Sequence, residues 1–197
     1  LMQIITGVQQ KPVKAVIYGP EKVGKTTLAA QCPKPIFIDT DAGSSRYDVA
    51  RTPRPESWAQ FLSYIKALAK DTQGYETLVI DTADQLEQLA IQKVCDECGV
   101  KGLGGNNDYG RTYNMLAGSW KSLLDQLEVD FIDSGKMHVV FVAHAITKKF
   151  ELPEEEGQFD RYEICMERKT APLLKAWAEL ILFANYRTIV NVETDNK

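Results

Sequence analysis

Ten consecutive residues constrain this chain more than any others: Tyr18-Gly19-Pro20-Glu21-Lys22-Val23-Gly24-Lys25-Thr26-Thr27. They fit G-x-x-x-x-G-K-[ST], the phosphate-binding loop. The motif also sits where it must, with a strand-like run at residues 13–18 before it and a helix-like run at 25–31 after it. With glycine at ~7% of residues, the pattern arises by chance at roughly 4 in 100,000 start positions, so a plain glycine turn with a surface lysine is the weaker reading. Glycines let the backbone curl until successive N–H groups face phosphate oxygens, and a helix N-terminus adds positive field. The expected cradle is Gly19, Pro20, Glu21, Lys22, Val23, Gly24, Lys25, Thr26 and Thr27. Lys25 would reach the β- and γ-phosphates, and the Thr26 hydroxyl would bind Mg²⁺.

A chain of 197 residues, 44% apolar and 25% charged, is long enough for one substantial α/β domain. A net charge of −4 excludes a broadly basic surface coated with nucleic acid, but leaves room for a local basic groove. No apolar run approaches the ~20 residues needed to span a bilayer, and no secretory signal is visible, so we expect a cytoplasmic protein without a membrane partner. Cys95 and Cys98 form a C-x-x-C, yet Cys32 and Cys165 supply no second pair, so reduced thiols are a better reading than zinc or redox chemistry.

Residues 1–12, with an apolar Ile4-Ile5, read as an N-terminal arm that packs on a neighbour; residues 13–197 read as one domain. Strands are expected at 13–18, 36–39, 77–81, 137–143 and 180–184, with a further one at 186–192. Ser57 and Gln60 form a capping box for a helix to about Lys70 that buries Trp58, Phe61, Ile65 and Leu68. Thr82 caps a helix at 84–98, a glycine-rich and mobile stretch covers 100–107, and a long helix carries Leu116, Trp120 and Leu123. Thr170, with Pro172 behind it, opens a short helix. Residues 146–166 are the least regular and read as a loop. The chain stops directly after a strand-like run, so we expect a domain cut short at its C-terminus.

Near-continuous apolar strands alternating with helices give a parallel sheet covered on both faces. Right-handed crossovers then bring the strand C-termini to one edge, where the phosphate loop, Asp39, Asp41, Asp81 and His144 collect. Asp81 ends an apolar strand in the manner of a Walker B acid and would hold the Mg²⁺ shell opposite Thr26. The next residue is Thr82 rather than glutamate, so the carboxylate that orients the attacking water must come from elsewhere. Asp41 is the substitute, unless it merely caps a turn before Gly43. Beyond His144, the residues Lys148, Lys149, Phe150, Arg161 and Tyr162 interleave cations with aromatics, a composition suited to single-stranded nucleic acid. Glu154, Glu155 and Glu156 in their midst oppose it, and a solvated loop is an equal alternative.

GPEKVGKTT, IFIDTD and LVIDTAD resemble the core of RecA-type recombinases and related ATPases. More narrowly, most of the chain is similar to phage-encoded AAA-type nucleotide-binding proteins, some of them described as RecA-like single-strand annealing proteins. That likeness runs through VKAVIYGPEKVGKTTLAAQCPKPIFIDT, YETLVIDTAD, MHVVFVAHA and KTAPLLKAWAELILFANY. It implies a P-loop NTPase of α/β class, a RecA-like three-layer sandwich with a mainly parallel central sheet in strand order 5-1-4-3-2. It implies a catalytic set of Lys25, Asp41, Asp81 and His144, with Asp41 in the place of the family's glutamate and His144 as the sensor of the γ-phosphate. Asp is one methylene shorter than Glu, which points to slow turnover. It also implies ATP and Mg²⁺, an ATPase that works on DNA in phage recombination or single-strand annealing, and a homo-oligomer in which Arg168 or Lys169 reaches a neighbour's nucleotide. Two other readings stay open: a small-molecule kinase, from Asp39-x-Asp41, and a slow nucleotide-dependent switch or assembly factor.

Overall fold

A computed structural model describes residues 6–7, 10–41, 43–151 and 158–187. Ile4 and Ile5 of the expected arm, the acidic Glu154, Glu155 and Glu156, and residues 188–192 of the expected last strand lie outside the described residues.

The chain alternates strand and helix: β1 (Lys14–Gly19), α1 (Lys25–Ala29), β2 (Pro35–Asp39), β3 (Ala50–Arg51), α2 (Trp58–Lys70), β4 (Thr77–Asp81), α3 (Ala83–Cys98), α4 (Arg111–Leu127), β5 (His138–Glu151), β6 (Gln158–Ile164), α5 (Ala171–Trp177) and β7 (Leu180–Phe183). The sheet order is β3-β2-β4-β5-β1-β7, parallel at every step, with β6 added antiparallel to β5. In terms of the five expected strands this is the order 5-1-4-3-2, with the two-residue β3 as an additional edge.

The central strands are where they are because both their faces are covered. All five residues of β4 are buried, and β2 and β5 present unbroken apolar runs to the interior. One face carries α2, α3 and α4, whose Phe61, Leu86, Leu116 and Trp120 are fully enclosed against Ile80 and Phe141. Each such side chain contributes about 1.5–3 kcal/mol by leaving water. Among the described residues the other face carries only the short α1, with Ala29 over Ile17, Phe37 and Val142. α2 starts as expected: Ser57 Oγ accepts the Gln60 N–H at 3.2 Å. The Gln60 side chain returns to the Glu56 N–H at 2.8 Å instead of to its own cap residue. α4 runs into a π-helical turn over Glu128–Asp133 before the chain enters β5.

Three expectations need correction. Residues 146–151 and 158–164 are not a loop: β5 continues well past His144 to Glu151 and pairs antiparallel with β6 as a hairpin. Among the described residues its outer half pairs only with β6 and is mostly exposed, so it lacks the apolar continuity that marks the inner half. Thr170 stands at the N-cap of α5, but its side chain accepts no helix N–H; its hydroxyl donates to the buried Glu87 instead. Tyr186 and Arg187 are not in a strand. The glycine-rich stretch contains a 3-10 turn at Gly105–Asn107, and the Gly104 N–H donates to Thr112 Oγ1 at 2.9 Å.

Candidate functional site

The phosphate loop joins β1 to α1 at the C-terminal edge of the sheet. Gly24 lies at φ +99, in the left-handed region that favours glycine, and directly precedes α1. Lys25, only 6% exposed, folds its ammonium back onto the loop and donates to the carbonyls of Gly19 at 2.9 Å and Pro20 at 2.7 Å. An ammonium has three N–H donors, so one is left for a phosphate oxygen. Burial lowers the proton affinity of this amine, against the opposing pull of Asp81 and Asp84.

Thr26 Oγ1 donates to Asp81 Oδ2 at 2.8 Å. Asp81 is 2% exposed, and burial pushes its carboxyl up to about 6, with Asp39 and Asp41 adding to the rise while Thr26 and His144 oppose it. A hydroxyl and a carboxylate side by side make a hard-oxygen pair. Their chemistry fits Mg²⁺, which is commonly held by one or two carboxylates together with substrate phosphates. Among the described residues no group of three or more His, Cys, Asp and Glu is placed to hold a metal ion, and all four cysteines are unpaired.

Local hydrogen bonds fix the acidic residues relative to one another. Asp39 spends its two oxygens on the N–H groups of Asp41, at 3.0 Å, and Ser44, at 2.7 Å, which coils the chain into the 3-10 turn Gly43–Arg46. Thr40 joins β2 to the end of β4. Its hydroxyl donates to the Thr82 carbonyl at 2.9 Å and accepts the Thr82 N–H at 2.8 Å, and its own N–H reaches Asp81 O at 2.7 Å. The Asp81–Thr82 peptide bond is cis. Asp41 is exposed on the wall of the resulting cavity.

That cavity has a volume of about 900 Å³ and brings together Lys25, Thr26, Asp41, Asp81 and His144. Its size lies in the range of nucleotide-sized ligand sites. His144 arrives because β5 lies beside β1 in register, opposite Gly19. Three further lining residues were not singled out from sequence. Asp84 hydrogen-bonds His144 Nδ1 at 2.9 Å. Arg46 and Tyr47 come from the turn after β2, with the Tyr47 hydroxyl 3.0 Å from Thr27 Oγ1. For Arg46 and Tyr47 the available signal was their distance of a few residues from Asp41; for Asp84 it was a second acid one helical turn after Asp81.

The five expected DNA-facing residues divide between the two faces of the hairpin. Lys148 stands opposite Arg161, and Phe150 opposite Phe159, so these share one face. Lys149 and Tyr162 fall on the other, where Lys149 faces Asp160 and the Tyr162 ring lies 5.0 Å from that of Phe183. Arg161 lies over the Phe150 ring at 4.8 Å and bonds Glu163 at 2.9 Å; Lys148 has no ion pair among the described residues. Cations directly opposite one another in a ladder repel. Arg168 and Lys169 do not line the cavity, and Lys169 Nζ donates to Asn114 at 2.6 Å.

No described helix is long and apolar enough to cross a membrane. A relative from Bacillus subtilis (strain 168), the SPbeta prophage-derived uncharacterized protein YorG, is 26% identical over 138 residues; the match covers 68% of this chain and 41% of that protein. The chain is thus similar to less than half of that relative's length. A family model described as an AAA domain matches residues 11–197, nearly the whole chain, in agreement with the mainly parallel sheet, its flanking helices and the phosphate loop. The chain belongs to the AAA domain family.

Proposed function

We propose that this chain binds ATP in the cavity, hydrolyses it slowly, and uses ATP binding to order a single-stranded DNA interface on the β5–β6 hairpin, in phage DNA recombination or single-strand annealing. One observation carries the coupling. β5 is a single strand that lies beside the phosphate loop at His144 and carries Lys148 and Phe150 outward. The phage setting rests on the prophage origin stated in the relative's name.

In this reading the loop N–H groups and the third N–H of Lys25 grip the phosphates. Thr26 and Asp81 would hold Mg²⁺, which supplies positive charge against the β- and γ-phosphate oxygens. Asp41 accepts a hydrogen bond from the attacking water and aligns it with the γ-phosphorus. The water oxygen bonds to that phosphorus as the bond to the β–γ bridging oxygen breaks, and ADP and phosphate leave. His144 touches the terminal phosphate and reports its presence along β5. The working form is a homo-oligomer in the host cytoplasm, one domain from residue 13 onward, with the N-terminal arm on a neighbour and Arg168 or Lys169 reaching that neighbour's nucleotide.

The test is ATP turnover with and without single-stranded DNA, on the parent chain, Lys25→Ala and Asp41→Ala. The parent should turn over ATP faster with DNA, Lys25→Ala should neither bind nor hydrolyse, and Asp41→Ala should bind but lose turnover. Unaltered hydrolysis in Asp41→Ala refutes the role of that carboxylate. The short, exposed Asp41 favours a second reading, a slow nucleotide-dependent switch; tight ATP binding with negligible turnover that DNA does not change would establish it.

A further inference from the structure

The chain has two histidines, and the fold uses them in opposite ways. His138 accepts the Val13 backbone N–H on Nδ1 at 2.8 Å, so that nitrogen carries no proton and the ring is the neutral Nε2–H form. His144 is gripped by Asp84 instead. Asp84 Oδ1 accepts the His144 backbone N–H at 3.0 Å, and Oδ2 lies 2.9 Å from the ring Nδ1. An ionised carboxylate can only accept, so Nδ1 must be the protonated nitrogen. The remaining nitrogen, Nε2, can then donate to a phosphate oxygen only if it is protonated too.

We propose that Asp84 is a positioning residue that holds His144 by its backbone and its ring, so that the imidazole meets the terminal phosphate of the nucleotide as a cation. This rests on the nucleotide reading of the cavity given above. The positive charge then comes from the chain's own β5, at the point where that strand leaves the phosphate loop for the hairpin, with no arginine from a neighbour required at that spot.

The surroundings favour the charged ring. Asp84 is 7% exposed in the first turn of α3. Burial pushes its carboxyl up, but the side-chain and backbone hydrogen bonds from His144 outweigh this and leave it below the ordinary carboxylate range. The hydrogen bond to Asp84 raises the proton affinity of His144, and burial opposes it. The other charged groups facing this corner are Lys25 on α1, which disfavours the imidazolium, Asp41 after β2, which favours it, and Asp81 at the end of β4. Glu87 on α3, Cys165 after β6 and Lys148 further along β5 stand behind the pair. A bound triphosphate adds negative charge on the open side and pulls the proton on more firmly.

With two histidines, nitrogen-15 NMR of the full chain labelled at histidine separates them by tautomer. His144 should carry its proton on Nδ1 and titrate above an ordinary histidine. Adding Mg²⁺ with a slowly hydrolysed ATP analogue should raise its apparent pKa further. In Asp84→Asn the affinity of His144 for its proton should fall about tenfold or more. Turnover of the parent should decline as pH rises through the His144 pKa, since the charged ring is then lost. Asp84→Asn should move that decline about one pH unit lower and cut kcat about tenfold near neutral pH, with KM for ATP close to that of the parent. His144→Gln, which keeps a neutral donor, should remove the alkaline decline altogether. A His144 ring protonated on Nε2 alone, or a titration unmoved by Asp84→Asn, overturns the proposal. A parent chain that binds no nucleotide and turns over no ATP would sink the reading of the cavity instead, while the NMR of the parent still decides the Asp84–His144 pair.

Discussion

Gly19→Ala is the most exacting test of how the phosphate loop is built. A Cβ placed on Gly19 would lie 2.1 Å from the carbonyl oxygen of Ala184 and 3.0 Å from its carbon. To reach the 3.4 Å where ordinary contact begins, the two segments must part by about 1.3 Å, and the obstacle is backbone, not the end of a flexible side chain. Ala184 is tied down by its own N–H, which donates to Tyr18 O at 2.8 Å as the last rung between β1 and β7. Moving that far breaks the rung. Overpacking of this kind costs about 1–3 kcal/mol and the lost hydrogen bond about 1 kcal/mol more. For a chain of this size the melting temperature should fall by about 5–15 °C. Gly118→Ala is the control of opposite sign. That glycine is exposed in the middle of α4 with nothing within 4 Å of its would-be Cβ, so alanine should raise the melting temperature by about 2–4 °C. Thermal melts by circular dichroism read both. A Gly19→Ala chain melting within about 2 °C of the parent would refute the contact between β7 and the loop.

Three more outcomes are expected. Thr40→Val keeps shape but strands the buried Thr82 N–H and C=O, and should cost about 2–4 kcal/mol in urea unfolding. Asp81 holds its proton more tightly in the folded chain than in the unfolded one, so its ionisation penalises the folded state increasingly as pH rises from about 4 to about 6. The same proton competes with Mg²⁺, so calorimetric affinity for Mg²⁺-nucleotide should drop roughly tenfold for each pH unit below about 6, and a flat profile there would count against Asp81 as a ligand. Lys148→Ala should weaken single-stranded DNA binding and reduce the slope of log affinity against log salt by about 0.7; Lys149→Ala, on the opposite face, should do so much less.

The inner strands were legible because they are buried on both sides and read as apolar runs, and Thr77–Asp81 was bounded to the residue for that reason; their order came from the family resemblance and not from the runs. The phosphate loop was legible because its glycines answer a purely local demand on the backbone. The hairpin was not. Most of its residues at 147–151 and 158–162 are exposed, and Ile146 and Phe150 stand among polar residues with too weak an alternation to stand out. Asp84 was hidden for a different reason. An acid in the first turn of a helix is expected from the helix dipole alone, and only the packing of α3 against β5 sets it beside His144. Thr40 likewise looks like an ordinary turn residue, and Thr82 like a helix cap alone, until the ends of β2 and β4 are seen to meet.

β5 has neither glycine nor proline from His138 to Glu151. From His144 to Phe150 it covers about 20 Å at roughly 3.3 Å per residue, and residues 144, 146, 148 and 150 share one face. Its inner half is clamped between β1 and β4, and its outer half is stiffened by β6. No glycine or proline hinge interrupts it. Under the proposed coupling, a shift of a few tenths of an ångström at His144 would be carried to Phe150 as a tilt, as at the far end of a balance beam.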